Sequence, residues 1–392
     1  MIWQRLKRSS DELRELGLDP KAFADLEAAF KSQLEDHRHP GAQLALYRHG
    51  MFALEMGGGI ARRSPEKPVA PDTLFVLFSA TKAWAAVAAH LLIERGKLDL
   101  QAKVAEYWPE FAKHGKGNVS IYHVLSHRGG YPISTTNLVL GAMQSSARAI
   151  EDTPLSWKPG EANGYHAFNF GETIGELVRR VDGREIKAFL REEVFAQIGL
   201  VESYLGLPAD RPELEARVAY VYEMESRTPG SEFRFGDESE PPVPEWKFVW
   251  NRPEAHQMVL PSGGGITRAR DFARFYGMLA NGGELDGVRV LKPETIQMAT
   301  RRSNSCGEID RIMRVPMPWA LGFQLGGEAS VPLFGKTSSP HAFGHAGAGC
   351  TVGWADPDRG LGFAYLTNGN LGWLNSFSRI GDLADLALKA CL

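Results

Sequence analysis

Apolar and polar positions change period along this 392-residue chain, and those changes mark its elements. Residues 10–36 carry apolar side chains at helical spacing and end at the His37-Arg38-His39-Pro40-Gly41 turn. The stretches 42–47 and 51–56, joined by Arg48-His49-Gly50, read as a β-hairpin. A proline-rich connector (61–73) leads into the apolar run Leu74-Phe75-Val76-Leu77-Phe78, followed by a helical run over 82–95 that stops at Gly96. From there to about residue 200 the pattern is helical with polar loops, including 119–127 and 169–181. The stretch 222–261 is different, with Pro229, Pro241, Pro242, Pro244 and Pro253 set among glutamates and aromatics. It predicts a surface excursion serving as a lid or pocket wall, with Trp246, Phe248, Trp250 and Met258 as its apolar side chains. A helix is expected at about 267–280, a second hairpin from 350–355 and 361–367, and an amphipathic helix over 373–391. Strands at both ends with helices between them predict an α+β fold. One antiparallel sheet would come from 1–78 and 262–392, flanked by the terminal helices, with a mostly helical domain inserted over 79–261.

Composition narrows the class. Hydrophobic residues at 43% and charged residues at 23% are those of a globular protein with a sizeable core. A formal net charge of −3 gives no electrostatic reason to expect nucleic acid as a partner. No apolar stretch is long enough to span a membrane, and the start of the chain shows no apolar leader segment. The three cysteines, Cys306, Cys350 and Cys391, are too scattered for a disulfide framework or a zinc knuckle. They point to a reducing compartment, so the expected location is cytoplasmic.

The chemistry is concentrated at Ser79-Ala80-Thr81-Lys82, where the apolar run becomes a helix. The spacing puts a hydroxyl and an amine on one face of a first helical turn. A serine needs a neighbouring base, and a lysine serves if burial keeps it neutral part of the time. Free N–H groups at the helix start favour developing negative charge. The handful of letters alone proves little, since an N-cap serine with an exposed lysine spells the same. Ser64-Pro65-Glu66-Lys67 repeats the spelling, but Pro68 and Pro71 follow, so that copy reads as a solvated turn between strands. Other sites are excluded. Ser262 in Leu260-Pro261-Ser262-Gly263-Gly264 lacks the first glycine of a nucleophile elbow. His37 and His39 read as a solvated turn, not a metal site. Gly335-Lys336-Thr337 lacks the upstream glycine of a phosphate loop, and Gly347-Ala348-Gly349-Cys350 precedes a strand instead of the helix a dinucleotide turn needs. Two further segments join Ser79. Tyr165, in a loop ahead of a helix, could hold a phenol near the amine. Gly344-His345-Ala346-Gly347-Ala348-Gly349 enters a strand at Cys350 with small residues that let a ligand approach backbone N–H groups.

Ser79-Ala80-Thr81-Lys82, then the Tyr165 loop, then His345-Ala346-Gly347 is the motif order of serine β-lactamases and penicillin-binding proteins. The chain resembles the class C β-lactamase-like branch and, within it, the family VIII carboxylesterases. Segments 119–130 and 261–274 are similar to connecting segments of that family, so the resemblance spans about residues 22–390. It implies a β-lactamase/transpeptidase-like fold, Ser79 as acylated nucleophile, Lys82 sharing its proton and Tyr165 as general base. It also implies backbone N–H groups of Ser79 and Ala348 as the oxyanion hole. His345 takes the first position of the Lys-Thr-Gly motif, and His345, Gly347 and Trp250 are the expected substrate contacts. Lys336-Thr337-Ser338 competes for that motif, but Ser339-Pro340 follows where a strand should begin. Two departures bear on activity. Ala167 replaces the asparagine that binds a β-lactam's amide, and Ala346 replaces the threonine that holds a carboxylate. Loss of built hydrogen-bond partners costs selectivity for polar substrates. The expectation is a cofactor-free, metal-free serine carboxylesterase for short- to medium-chain esters. A β-lactamase, a D-amino peptidase, an acyltransferase and a silent binding module remain as alternatives, and a homo-oligomer stays open.

Overall fold

Hairpins from opposite ends of the chain supply one sheet. The computed structural model describes residues 2–132, 147–224, 250–327, 332–348, 351–370 and 373–392. Its first strand is Ile2–Leu6 (β1), followed by helices Ser10–Glu15 (α1) and Pro20–Glu35 (α2). The single helix expected over 10–36 is thus two. Gly17 adopts φ +66°, and Asp19 caps the second helix through an Oδ1 bond from the Ala22 N–H at 2.7 Å. The hairpin is Gly41–Arg48 (β2) with Met51–Arg63 (β3), and β3 turns at Ser64-Pro65 into Glu66–Pro68 (β4). The Ser64 copy of the motif therefore lies in a turn between strands, as expected.

The middle of the chain contributes Phe75–Val76 (β5), the helix Lys82–Glu94 (α3), the helix Asn169–Asp182 (α4) and Ser203–Leu205 (β6). Then come Gly265–Thr267 (β7), Ala269–Ala280 (α5), Gln324–Leu325 (β8), Phe343–Gly347 (β9), Thr351–Asp356 (β10), Leu361–Thr367 (β11) and Trp373–Ala390 (α6). The large sheet runs β1-β3-β2-β11-β10-β9-β8, with β4 on β3, and every neighbour is antiparallel.

Both faces of this sheet are covered, so β2 is buried at every residue instead of alternating. Ala42, Leu44 and Leu46 join Leu26 and Phe30 of α2 and Leu383 and Ala387 of α6. Ala45 and Tyr47 on the opposite face join Phe272 and Tyr276 of α5. Gln43 is tolerated there because its Oε1 accepts the Ala269 N–H and its Nε2 donates to the Ala70 and Thr73 carbonyls. Helix α3 is buried from Lys82 to Leu92 and forms the centre of the helical region, where Trp84 meets Phe195 and Phe272 edge-on. A small antiparallel sheet, β5-β7-β6, ties residues 75–76, 203–205 and 265–267 together at the foot of α3.

Three local expectations are corrected. Of the apolar run 74–78, only Phe75 and Val76 form a strand, because Phe78–Thr81 closes into a 3₁₀ turn before α3 begins. Phe343–Gly347 is itself a strand of the large sheet, one in from its edge, not the approach to one. His39 is not solvated: it is 1% exposed and meets the Tyr365 ring at 5.8 Å. Residues 225–249, with Trp246 and Phe248, lie outside the described residues.

Candidate active site

The site begins with a strained turn. Phe78 has φ +49°, a conformation that costs a residue with a side chain about 1–3 kcal/mol and persists where surroundings enforce it. Those surroundings are visible. The Leu77 N–H donates to Gly265 O at 2.8 Å, and Gly265 N–H donates to Thr81 Oγ1 at 2.9 Å. From the large sheet, Thr351 Oγ1 donates to Leu77 O at 2.8 Å. Strand β9 comes so close that a Cβ on Gly347 would lie 2.0 Å from the same Leu77 oxygen. Turn and sheet are thereby locked together. Ser79 is left half-buried at the head of α3.

Lys82 follows one turn later and is fully buried. Its Nζ lies 3.2 Å from Ser79 Oγ and donates to Ser262 O at 2.9 Å. Burial strips the ammonium of water and lowers its pKa to about 7, with the Glu172 carboxylate acting in the opposite direction. The Lys82 Nζ is 4.9 Å from the centroid of the Tyr165 ring. Burial raises the Tyr165 phenol well above its ordinary value, and the Ser79 hydroxyl beside it pulls the other way.

Tyr165 sits in a loop whose backbone is held on three sides. Its N–H donates to Asp310 Oδ1 at 3.1 Å, Gly164 N–H donates to His127 O at 3.0 Å, and Asn163 Nδ2 donates to Ser126 O at 2.8 Å. The phenol ring stacks on Trp319 with centroids 5.4 Å apart and planes 6° apart. Trp319 is itself fixed by a 2.9 Å bond from Nε1 to Asp310 Oδ2. One buried carboxylate therefore orients both rings. His345 on β9 faces this stack, 6.2 Å from each ring centroid. Its Nδ1–H donates to Ala346 O at 2.7 Å, leaving Nε2 buried with no hydrogen-bond partner. Burial, reinforced by the Lys82 charge, lowers its pKa to about 3, so the ring is neutral.

Ser79, Lys82, Tyr165 and His345 thus converge. Ala348, φ +38°, occupies the exposed turn directly after β9, beyond Gly347 and its contact with Leu77. Trp250 is half-buried and packs edge-to-face on Phe78 at 5.1 Å, next to Ser79. The competing Lys336 and Thr337 are exposed on the far side of the sheet, where their N–H groups bond Asp385 of α6. Sequence reasoning missed Asp310, Trp319, Glu172 and the role of Ser262. None carries a local signal, since each comes from a segment distant in sequence and acts only once the chain is folded. Among the described residues, no group of His, Cys, Asp or Glu is placed to hold a metal.

A family model described as Beta-lactamase matches residues 26–379. The chain is 31% identical over 365 residues to "Esterase/beta-lactamase LipL" of Mycobacterium tuberculosis, covering 89% of this chain and 82% of the relative. Among solved structures, a penicillin-binding protein homologue from Caulobacter crescentus superposes with a TM-score of 0.79 at 30% identity, over 95% of this chain and 99% of that one. A family VIII carboxylesterase superposes with a TM-score of 0.77 at 29% identity, over 96% of this chain and 99% of that one. The chain belongs to the Beta-lactamase family. Its fold is the β-lactamase/transpeptidase-like one, with the S-x-x-K segment at the head of a buried helix.

Proposed function

We propose that the protein is a serine carboxylesterase acting on short- to medium-chain esters through an acyl-enzyme on Ser79. The observation that carries this reading is the buried amine of Lys82 at 3.2 Å from Ser79 Oγ. As a neutral amine, Lys82 donates to Ser262 O and offers its lone pair to the Ser79 hydroxyl. The Ser79 proton passes to Lys82 as the Oγ–C bond forms. The oxyanion is received by the backbone N–H groups of Ser79 and Ala348. Collapse breaks the ester C–O bond, and the leaving alkoxide takes a proton from Tyr165, which Lys82 replenishes. Water then attacks the acyl carbon, its proton goes to the same pair, and Ser79 leaves with a proton restored. The sequence resemblance gives Tyr165 the role of general base. Because burial keeps its phenol protonated, Lys82 is the better first acceptor and Tyr165 the relay.

His345, Gly347 and Trp250 would line the ester's acyl and alcohol groups. A neutral imidazole and two alanines give a β-lactam's carboxylate and amide no charged or amide partner, which supports a neutral ester. The relatives named esterase and carboxylesterase support the same choice. Free thiols at Cys306 and Cys391 suit a reducing, cytoplasmic location.

The test is a panel of nitrophenyl esters of increasing acyl length beside a chromogenic cephalosporin, with Ser79→Ala as control. Catalytic efficiency on a short ester should exceed that on the cephalosporin by orders of magnitude. Equal efficiencies would replace the esterase reading with a β-lactamase one.

A further inference from the structure

Ser262 stands between Lys82 and a carboxyl group that no step above uses. Its carbonyl accepts from Lys82 Nζ at 2.9 Å, while its Oγ lies 2.6 Å from Glu172 Oε2 on the first turn of α4. The same Oγ accepts the Gly171 N–H at 2.8 Å and closely approaches the Phe168 carbonyl. A hydroxyl has one proton to donate. With the Gly171 N–H as a fixed donor, Phe168 O and Glu172 Oε2 would compete for that single proton. All the contacts are satisfied at once when Glu172 carries a proton of its own and donates it to Ser262 Oγ. Burial acts in the same sense, raising the Glu172 pKa to about 7.

The titratable groups that act on Lys82 or lie against it come from four elements. They are Tyr165 from its loop, His345 from β9, His127 from the segment after helix Ile121–Leu125, and Glu172 from α4. The two imidazoles are held neutral by burial, and the phenol is held protonated. Glu172 is the one group of the four that turns negative near neutrality. We propose that Glu172 is a positioning residue for catalysis: it touches no reacting atom, and its ionisation decides how firmly Lys82 keeps a proton and hence whether the amine beside Ser79 is free to accept one. Ionised Glu172 strengthens the hold of Lys82 on its proton, and neutral Glu172 lets the amine give that proton up at lower pH. The inference rests on the reading of Lys82 as the acceptor of the Ser79 proton.

The test separates the two. The probe is diethyl p-nitrophenyl phosphate, with the labelling of Ser79 followed by intact-protein mass spectrometry across pH. In this step the Ser79 Oγ–P bond forms, p-nitrophenolate leaves with the bonding pair, and the Ser79 proton goes to Lys82 and then to solvent. In the native protein the rate should rise with pH through about 7. Glu172→Gln keeps a donor to Ser262 Oγ but has no charge, so the rise should move about one pH unit lower. Glu172→Met, which leaves Ser262 its Gly171 donor and Phe168 acceptor, should shift it the same way, and Glu172→Asp should return it toward the native position. Both uncharged variants keeping the native rise, with only a change of amplitude, would make Glu172 a structural cap and overturn the inference. Lys82→Met labelling at the native rate and pH dependence would instead overturn the role of Lys82, and the inference with it.

Discussion

In the proposed mechanism Lys82 is a base because it has lost its water. An exposed lysine holds its proton to beyond pH 10, and full burial brings this one to about 7. The sign is unambiguous: below that value the amine is an ammonium and cannot take the Ser79 proton, so kcat/KM on an ester should climb as pH rises through about 7. His345 is the tempting alternative, since histidine ordinarily titrates near neutrality. Buried beside Lys82 it is lowered to about 3 and does not titrate in that window. His345→Gln should therefore reduce kcat/KM by about tenfold or less, the worth of about 1 kcal/mol of hydrogen bonding, and leave the acid limb where it was. Loss of the limb would make His345 the base. Ser79→Ala, Lys82→Ala and Tyr165→Phe should each abolish most turnover, with double variants costing little more, because in the proposed mechanism the three groups move one proton between them.

At the scale of elements, the site is a contact between a strand and a turn. Gly347 is the point of closest approach, where a Cβ would stand 2.0 Å from Leu77 O and 2.5 Å from Thr351 Oγ1. Backbone cannot yield as a flexible side chain does. Gly347→Ala should push β9 from the Phe78–Thr81 turn, cutting kcat by about a hundredfold as a reacting geometry is displaced by an ångström. Unchanged kcat in this variant would show that the strand and the turn move independently. The sequence announced both partners in this contact, since a serine after an apolar run and a Gly-rich segment near the C-terminus stand out locally. It announced the terminal hairpins and α5 for the same reason, because each has its own period. It did not announce that Phe78 would take a positive φ and break the apolar run, since that conformation is imposed by Gly265 and Thr351 from remote strands. Nor did it reveal Asp310, a single acidic residue in a polar loop that becomes the anchor of Tyr165 and Trp319 only by folding. Glu172 was legible merely as an acidic residue in the first turn of a helix.

The whole molecule answers to pH through its buried titratable groups, most of them away from the site. His39, His90, His127, His166 and His345 are all buried and all held neutral, with His90 and His166 lowered to about 4 and His345 to about 3. Unfolded, each would titrate at about 6.5. Between those values the unfolded chain binds a proton that the folded one refuses. The stability these residues allow is therefore complete above pH 6.5 and is lost as pH falls toward their folded values. Each contributes about 1.4 kcal/mol per pH unit in that window. Glu172 opposes them, because its folded pKa is raised to about 7 and between 4.5 and 7 the folded state holds its extra proton. Lys82 is protonated in both states below 7 and adds nothing there. The lowered imidazoles outnumber Glu172, so unfolding below pH 6.5 takes up protons on balance, and each net proton is worth about 1.4 kcal/mol per pH unit. Cooperative acid unfolding is therefore expected as pH falls below 6.5, with a steep dependence on pH. Tryptophan fluorescence and far-ultraviolet circular dichroism across pH 3–8 would follow it. The slope of the unfolding free energy against pH counts the protons. His90→Gln, whose amide can still donate to Leu321 O, should lower that count by one. A chain that remains folded at pH 3, or a His90→Gln slope equal to the native one, would mean that these imidazoles take up protons in the native state.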